Sequence, residues 1–142
     1  MDNENKIEEG IKNYSQRELG NVKVLMVEDD QFLSEMVLSK LSMSGCIPYS
    51  TDNGSEAIAL VDTYRPDVII LDLMLPGLSG EEILKELKSN EELKSIPVIV
   101  FSNKSEQSDI EENLAAGAAR YLVKSSTDLN VLVDVIKEVV RQ

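Results

Sequence analysis

The chain has 142 residues, of which 42% are hydrophobic and 28% are charged, and its formal net charge is -12. This composition predicts one globular domain with its own core and excludes a largely disordered chain. The excess of acidic residues disfavours direct nucleic-acid binding, because affinity for a polyphosphate depends on Lys and Arg. No apolar run reaches the about 18 residues of a membrane span, and no signal peptide follows Met1, so we expect no membrane association and a cytoplasmic location.

The chain contains no histidine and a single cysteine, Cys46. The absence of histidine removes the usual general base and excludes a phosphohistidine relay within the chain. If phosphoryl chemistry takes place here, the histidine must belong to another molecule. Cys46 has no partner for a disulfide or a metal site and is expected to be a small, partly buried apolar residue.

The predicted elements begin after a polar segment, residues 1–20, which we interpret as a tail or a short helix with Ile7, Ile11 and Tyr14 at helical spacing. In residues 21–142 short apolar runs alternate with amphipathic stretches. The predicted strands cover 22–27, 47–51, 67–71, 97–101 and 120–123. The predicted helices cover 32–44, 55–64, 81–89, 106–116 and 128–140. The first helix places its apolar residues on one face: Phe32, Leu33, Met36, Val37 and Leu41.

The third and fourth strands, DVIIL and PVIVF, are apolar without alternation. This pattern is typical of parallel strands that are covered on both faces. Alternation of strands and helices at roughly 25-residue spacing predicts an α/β domain with a doubly wound parallel sheet of five strands and five helices. In such folds the functional residues lie beyond the carboxyl ends of the strands.

Polar residues follow four of the predicted strands: Glu28, Asp29 and Asp30, then Asp72, then Ser102 and Asn103, and finally Lys124. Carboxylates that converge at one crevice repel one another unless a cation lies between them, and oxygen ligands with room for water suit Mg²⁺. Lys124 can balance the charge of Asp72 and of phosphoryl oxygens, and the Ser102 hydroxyl can donate to such an oxygen. These residues predict a site for phosphoryl transfer to a carboxylate.

The segments VLMVEDD, IILDLMLPGLSG, PVIVFSN and GAARYLVK resemble, in order and spacing, the receiver domains of two-component response regulators, in particular single-domain, chemotaxis-regulator-like ones. The resemblance extends from about Val22 to the C-terminus and implies a flavodoxin-like sheet of order 2-1-3-4-5. It further implies that 21–142 is the receiver domain.

The resemblance implies that Asp72 is the phosphoacceptor of a phosphorelay. Mg²⁺ would be held by Glu28, Asp29, Asp72 and the backbone carbonyl of Met74, with Asp29 the more direct ligand of the acidic pair. Asp30 is interpreted as the cap of the first helix and not as a ligand.

By the same resemblance, Ser102 is the switch hydroxyl, Tyr121 the switch aromatic and Lys124 the phosphoryl-binding lysine. Phosphorylation is expected to draw Ser102 toward the phosphoryl group and to let Tyr121 rotate into the vacated space. The surface of the fourth helix, fifth strand and fifth helix would then bind a downstream protein target or a second copy of the chain. The donor would be a sensor histidine kinase or a histidine phosphotransfer protein. The chain would not be an enzyme beyond catalysing its own phosphorylation and dephosphorylation.

Three positions depart from the family pattern. Ser125 follows Lys124 where the family usually has a cis proline, so a cis bond is not expected and the lysine's placement is open. Asn103 and Lys104 follow the switch hydroxyl, where many members have a small residue first, and both are candidates to alter phosphoryl hydrolysis. Met74 is bulky at a position that influences phosphate access.

Other functions are weighed against the same residues. A dinucleotide-binding enzyme needs glycines after the first strand, and VEDDQF has none. A haloacid-dehalogenase-like phosphohydrolase needs a second acid two residues beyond Asp72, where the chain has Met74. A non-phosphorylated pseudo-receiver that acts as a protein-docking module stays the alternative. The chain is expected to be either a stand-alone receiver or a part of a longer regulator.

Overall fold

Five strands and five α-helices alternate along residues 19–141, the part of the chain that this computed structural model describes. The strands are β1 (Lys23–Val27), β2 (Ile47–Thr51), β3 (Val68–Leu71), β4 (Val98–Ser102) and β5 (Arg120–Val123). The helices are α1 (Gln31–Met43), α2 (Gly54–Tyr64), α3 (Gly80–Ser89), α4 (Gln107–Ala115) and α5 (Leu129–Val140), and a 3₁₀ turn covers Lys124–Ser126. The predicted elements are confirmed, with small differences at their ends.

All neighbouring strands are parallel, and their order is β2-β1-β3-β4-β5, as predicted. Backbone hydrogen bonds continue past the strand ends: the Glu28 N–H donates to the Thr51 carbonyl and the Asp72 N–H to the Val27 carbonyl, each at 3.0 Å. The sheet therefore fixes the backbone of Glu28 and Asp72 side by side. The strand order reverses between β1 and β3, and α/β folds bind their ligands beyond the carboxyl ends of the strands at such a point.

The core has two layers, one on each face of the sheet. On one face α1 and α5 cover β1, β3 and β4, with Val37, Leu41 and Ile136 completely buried. On the other face α2 and α3 cover the same strands, with Val61 and Leu84 completely buried. All four residues of β3 are buried, which explains why its sequence does not alternate.

The predicted N-terminal tail lies almost entirely outside the described residues, since 1–18 are not described. Leu19, at the end of that predicted segment, is completely buried and belongs to the same cluster as Leu41 and Ile136. No helix of residues 19–141 combines the length and the apolar character needed to cross a lipid bilayer. Cys46 is buried as expected, and burial raises the pKa of its thiol to about 11.

The structure corrects the predicted face of α1. Val37 and Leu41 are completely buried, but Phe32 is 74% exposed and Met36 is 45% exposed. At about 100° per residue, Phe32 and Met36 lie on the opposite side of the helix from Val37 and Leu41, together with the 76% exposed Met43. The helix therefore has two apolar stripes, and only one of them faces the sheet.

Candidate functional site

The predicted phosphoacceptor, Asp72, lies directly after β3 and is 4% exposed. One carboxylate oxygen, Oδ2, accepts a hydrogen bond from the Lys124 ammonium at 2.9 Å. The other, Oδ1, accepts from the backbone N–H of Met74 at 3.1 Å. These donors compensate the cost of placing a carboxylate in a largely buried position.

Glu28 is the most buried acid of the site, with 2% of its surface exposed. Its Oε2 accepts from the backbone N–H groups of Asp29 and Asp30, at 3.0 and 3.4 Å. Its Oε1 contacts the Lys124 ammonium but has no well-formed hydrogen bond among the described residues. Burial raises the pKa of Glu28 to about 7, against the lowering effect of Lys124, and the neighbouring Asp72 raises it further.

Lys124 connects the two buried acids. It opens the 3₁₀ turn after β5, and its ammonium contacts both Glu28 and Asp72. Burial works to lower the pKa of Lys124, but its ion pairs with the two carboxylates outweigh this effect and the net pKa is raised. The peptide bond to Ser125 is trans, as expected, and the missing proline does not keep Lys124 away from Asp72. Ser125 itself is exposed.

The three predicted acidic ligands converge. Glu28, Asp29 and Asp72 each offer one carboxylate oxygen, and these oxygens lie within 4.8 Å of one another. Lys124 supplies only one positive charge to this cluster, and the Oε1 atom of Glu28 lacks a regular hydrogen bond. An all-oxygen set that is incompletely neutralised fits a hard divalent cation such as Mg²⁺. The ligand role of the Met74 carbonyl stays a prediction; the Met74 side chain is 58% exposed.

Asp30 does not join the cluster. Its Oδ1 accepts from the backbone N–H of Leu33 at 3.1 Å, and Asp30 is the N-cap of α1. A cap of this kind satisfies one of the free N–H groups in the first turn of a helix. The interpretation of Asp30 as a helix cap is therefore confirmed.

The two predicted switch residues meet at the loop after β4. Ser102 is completely buried, and its Oγ accepts from the backbone N–H of Lys104 at 3.3 Å. The Tyr121 hydroxyl donates to the backbone carbonyl of Lys104 at 2.6 Å. Burial raises the pKa of Tyr121. The Tyr121 hydroxyl thus contacts the loop after β4, and the rotation of Tyr121 into the space vacated by Ser102 stays a prediction.

The two candidate modulators behave differently. Asn103 is exposed. The Lys104 ammonium does not extend to Asp72 but binds Glu81 Oε1 in the first turn of α3, at 2.9 Å. The sequence gives no indication of Glu81, because it lies 23 residues from Lys104 and outside every motif.

Gly80 allows the loop after Asp72 to return against β3. A Cβ atom at this position would lie 2.5 Å from the Leu73 Cα and closer still to the Asp72 carbonyl oxygen. We expect Gly80→Ala to lower the free energy of unfolding by about 3 kcal/mol or more, because rigid backbone would have to move. Urea denaturation measures this change. Glu86→Ala, on an exposed position in the middle of the same helix, should stay within about 0.5 kcal/mol of the parent. An equally small effect of Gly80→Ala would contradict the packing described.

A family model described as the response regulator receiver domain matches residues 24–137. The polar-differentiation response regulator DivK of Brucella anthropi is 36% identical to the chain over 101 residues, which are 71% of this chain and 82% of DivK. The chain spans only about half the length of the curated transcriptional regulators that it also matches, between 43% and 52%.

Solved structures share the same fold. The phosphorylated cyanobacterial phytochrome response regulator RcpA has a TM-score of 0.72 and 30% identity, with 84% of this chain and 91% of that chain covered. The Mn(2+)-bound form of the response regulator Rcp1 has a TM-score of 0.70 and 28% identity, with 82% and 90% covered. The sequence and the backbone thus point to the same group of proteins.

Proposed function

Since the chain is a receiver domain of the two-component response regulator family, we propose that it accepts a phosphoryl group on Asp72 and that this modification is its signal. The observation that carries the proposal is the meeting of Asp72 with Lys124, Glu28 and Asp29 at one edge of the sheet. Nothing in this arrangement can pass a phosphoryl group onward to a histidine of the same chain, because the chain has none.

Glu28, Asp29 and Asp72 would hold Mg²⁺ together with the Met74 carbonyl. The proximity of the three carboxylate oxygens, which share the single positive charge of Lys124, supports this assignment. The related response regulator Rcp1 has a Mn(2+)-bound form, which supports the proposal that this chain binds a divalent cation. Bound Mg²⁺ would neutralise charge on the phosphoryl oxygens and help to align them with Asp72.

In the proposed reaction, an Asp72 carboxylate oxygen attacks the phosphorus of a phosphohistidine or of a small acyl phosphate. The new P–O bond forms as the P–N or P–O bond to the donor breaks, and the leaving imidazole or carboxylate keeps the electron pair. Lys124 stands beside Asp72 and would bind an equatorial oxygen as charge develops. The Ser102 hydroxyl would donate to a second oxygen and thereby communicate the modification to the loop after β4.

The donor would be a sensor histidine kinase or a histidine phosphotransfer protein. Such a partner has to approach the rim of the site, where Phe32 begins the exposed apolar stripe of α1 only two residues beyond Asp30. The surface of α4, β5 and α5 would serve a downstream target or a second copy of the chain. The chain would act on no substrate besides its own phosphoryl group, and we propose the cytoplasm as its location.

The proposal is tested by incubating the protein with an acyl phosphate and Mg²⁺. We expect the intact mass to increase by one phosphoryl group, the increase to disappear with EDTA, and peptide mapping to assign it to Asp72. The phosphorylated cyanobacterial RcpA provides a related positive control. No mass increase with a donor that phosphorylates this control would instead favour the alternative of a pseudo-receiver that docks proteins without being phosphorylated.

A further inference from the structure

The loop that joins β4 to α4 is attached to the rest of the protein through Lys104. Its backbone N–H donates to Ser102 Oγ at 3.3 Å, and its carbonyl accepts from the Tyr121 hydroxyl at 2.6 Å. Its ammonium binds Glu81 Oε1 at 2.9 Å. The two backbone contacts involve the predicted switch residues. The third contact ties the same residue to the first turn of α3.

These contacts matter more because α4 itself is weakly anchored. Among its described residues only Asn113 is buried, and the Asn113 side-chain amide donates to the Asp109 carbonyl of the same helix. The other four α-helices each bury at least three residues. A helix with so little buried surface is easily displaced. Its starting position therefore depends strongly on the loop that precedes it.

The charge distribution explains why Lys104 turns away from the phosphoacceptor. The carboxylate of Asp72 is already paired with Lys124. Glu81 offers Lys104 a separate carboxylate partner, and the hydrogen bond to Glu81 raises the pKa of Lys104. A partly exposed ion pair of this kind is weak by itself. Here, however, it restrains a residue whose peptide is bonded on both sides.

We propose that Glu81 is a positioning residue of the switch. Through its ion pair with Lys104 it holds the backbone of residue 104 where Ser102 and Tyr121 both contact it. The loop is then preorganised for a phosphoryl group, and the start of α4 is coupled to α3. The consequence for phosphorylation rests on the function proposed above, but the structural part can be measured without it.

The structural part is tested by amide hydrogen exchange in the unphosphorylated protein. Glu81→Ala should lower the protection factor of the Lys104 amide by about two- to fivefold, the effect that loss of an exposed ion pair produces. Glu82→Ala is the matched control, because Glu82 is exposed, lies in the same first helical turn and forms no ion pair among residues 19–141. Unchanged Lys104 protection in Glu81→Ala, or an equal loss in Glu82→Ala, would overturn the proposal.

The functional part is tested with beryllofluoride and Mg²⁺, a phosphoryl mimic. Glu81→Ala should weaken beryllofluoride binding by about two- to fivefold, and the charge exchange Glu81→Lys with Lys104→Glu should recover most of the affinity. Equal or tighter binding by Glu81→Ala, or no recovery in the exchanged pair, would contradict a positioning role. If the unaltered protein binds no beryllofluoride, the proposed phosphoacceptor function fails. The amide hydrogen-exchange measurement still decides whether Glu81 positions the loop.

Discussion

Asp72→Asn should reduce phosphoryl incorporation from an acyl phosphate to background. The substitution keeps the size of the side chain and an oxygen that can accept from the Met74 N–H. It removes the anionic nucleophile. The neutral amide that replaces the carboxylate cannot form an acyl phosphate. Lys124 retains Glu28 as a charge partner, so we expect the variant to stay folded. The loss would therefore concern the chemistry and not the stability of the protein.

Intact-mass measurement with Mg²⁺ tests this expectation, and circular dichroism checks the fold. Asp52→Asn is a suitable control, since Asp52 is exposed and the change removes the same charge. The control should incorporate phosphoryl groups as the parent does. If Asp72→Asn still gains one phosphoryl group, another side chain is the acceptor and the assignment of Asp72 is wrong.

The central features of the fold could be predicted because they follow from simple patterns. Val68–Leu71 are apolar without alternation, since β3 is covered on both faces, and parallel strands end at a common edge. Asp72 follows β3 and Lys124 follows β5, so both residues could be assigned to the same edge of the sheet, although 52 residues separate them. The strand ends predicted this common edge, but β4 lies between β3 and β5, and only the structure shows that the Lys124 ammonium contacts Asp72.

Other features depend on contacts that no local pattern encodes. Phe32 and Met36 have the spacing of a core stripe, but α1 carries a second stripe and only packing decides which one is buried. Lys104, in the loop after β4, pairs with Glu81 in the first turn of α3, and no spacing in the sequence predicts this contact. The direction of the Tyr121 side chain is set by the position of the Lys104 carbonyl. Such details require the three-dimensional arrangement.

Glu28→Gln should affect the free protein and the Mg²⁺-bound protein in opposite directions. Burial raises the pKa of Glu28 from its ordinary value of 4.5 to about 7 in the folded protein. Between these values the folded state binds more protons than the unfolded state, so the free energy of unfolding decreases as pH rises from about 4.5 through about 7. Glutamine does not ionise and avoids this loss. Without divalent cations, the variant should be more stable than the parent by about 1–3 kcal/mol above pH 7.

Mg²⁺ should reverse this order. The parent gains stability from the ion, because a cation bound by Glu28, Asp29 and Asp72 replaces the unfavourable buried negative charge with a favourable contact. The variant loses one anionic ligand, and we expect its Mg²⁺ affinity to fall by at least about tenfold. Removing Mg²⁺ should cancel the parent's gain in stability, so that Glu28→Gln is again the more stable of the two proteins.

Urea denaturation at about pH 5 and about pH 8, in EDTA and in Mg²⁺, measures both effects. In EDTA the difference between variant and parent should be small at the lower pH and larger at the higher pH, since only then is the parent's Glu28 ionised. Glu86→Gln removes one charge from an exposed position of α3 and controls for the overall charge of -12. A Glu28→Gln protein that is less stable than the parent at the higher pH in EDTA would show that the Lys124 contact outweighs the burial of Glu28. Unchanged Mg²⁺ affinity in this variant would remove Glu28 from the ligand set.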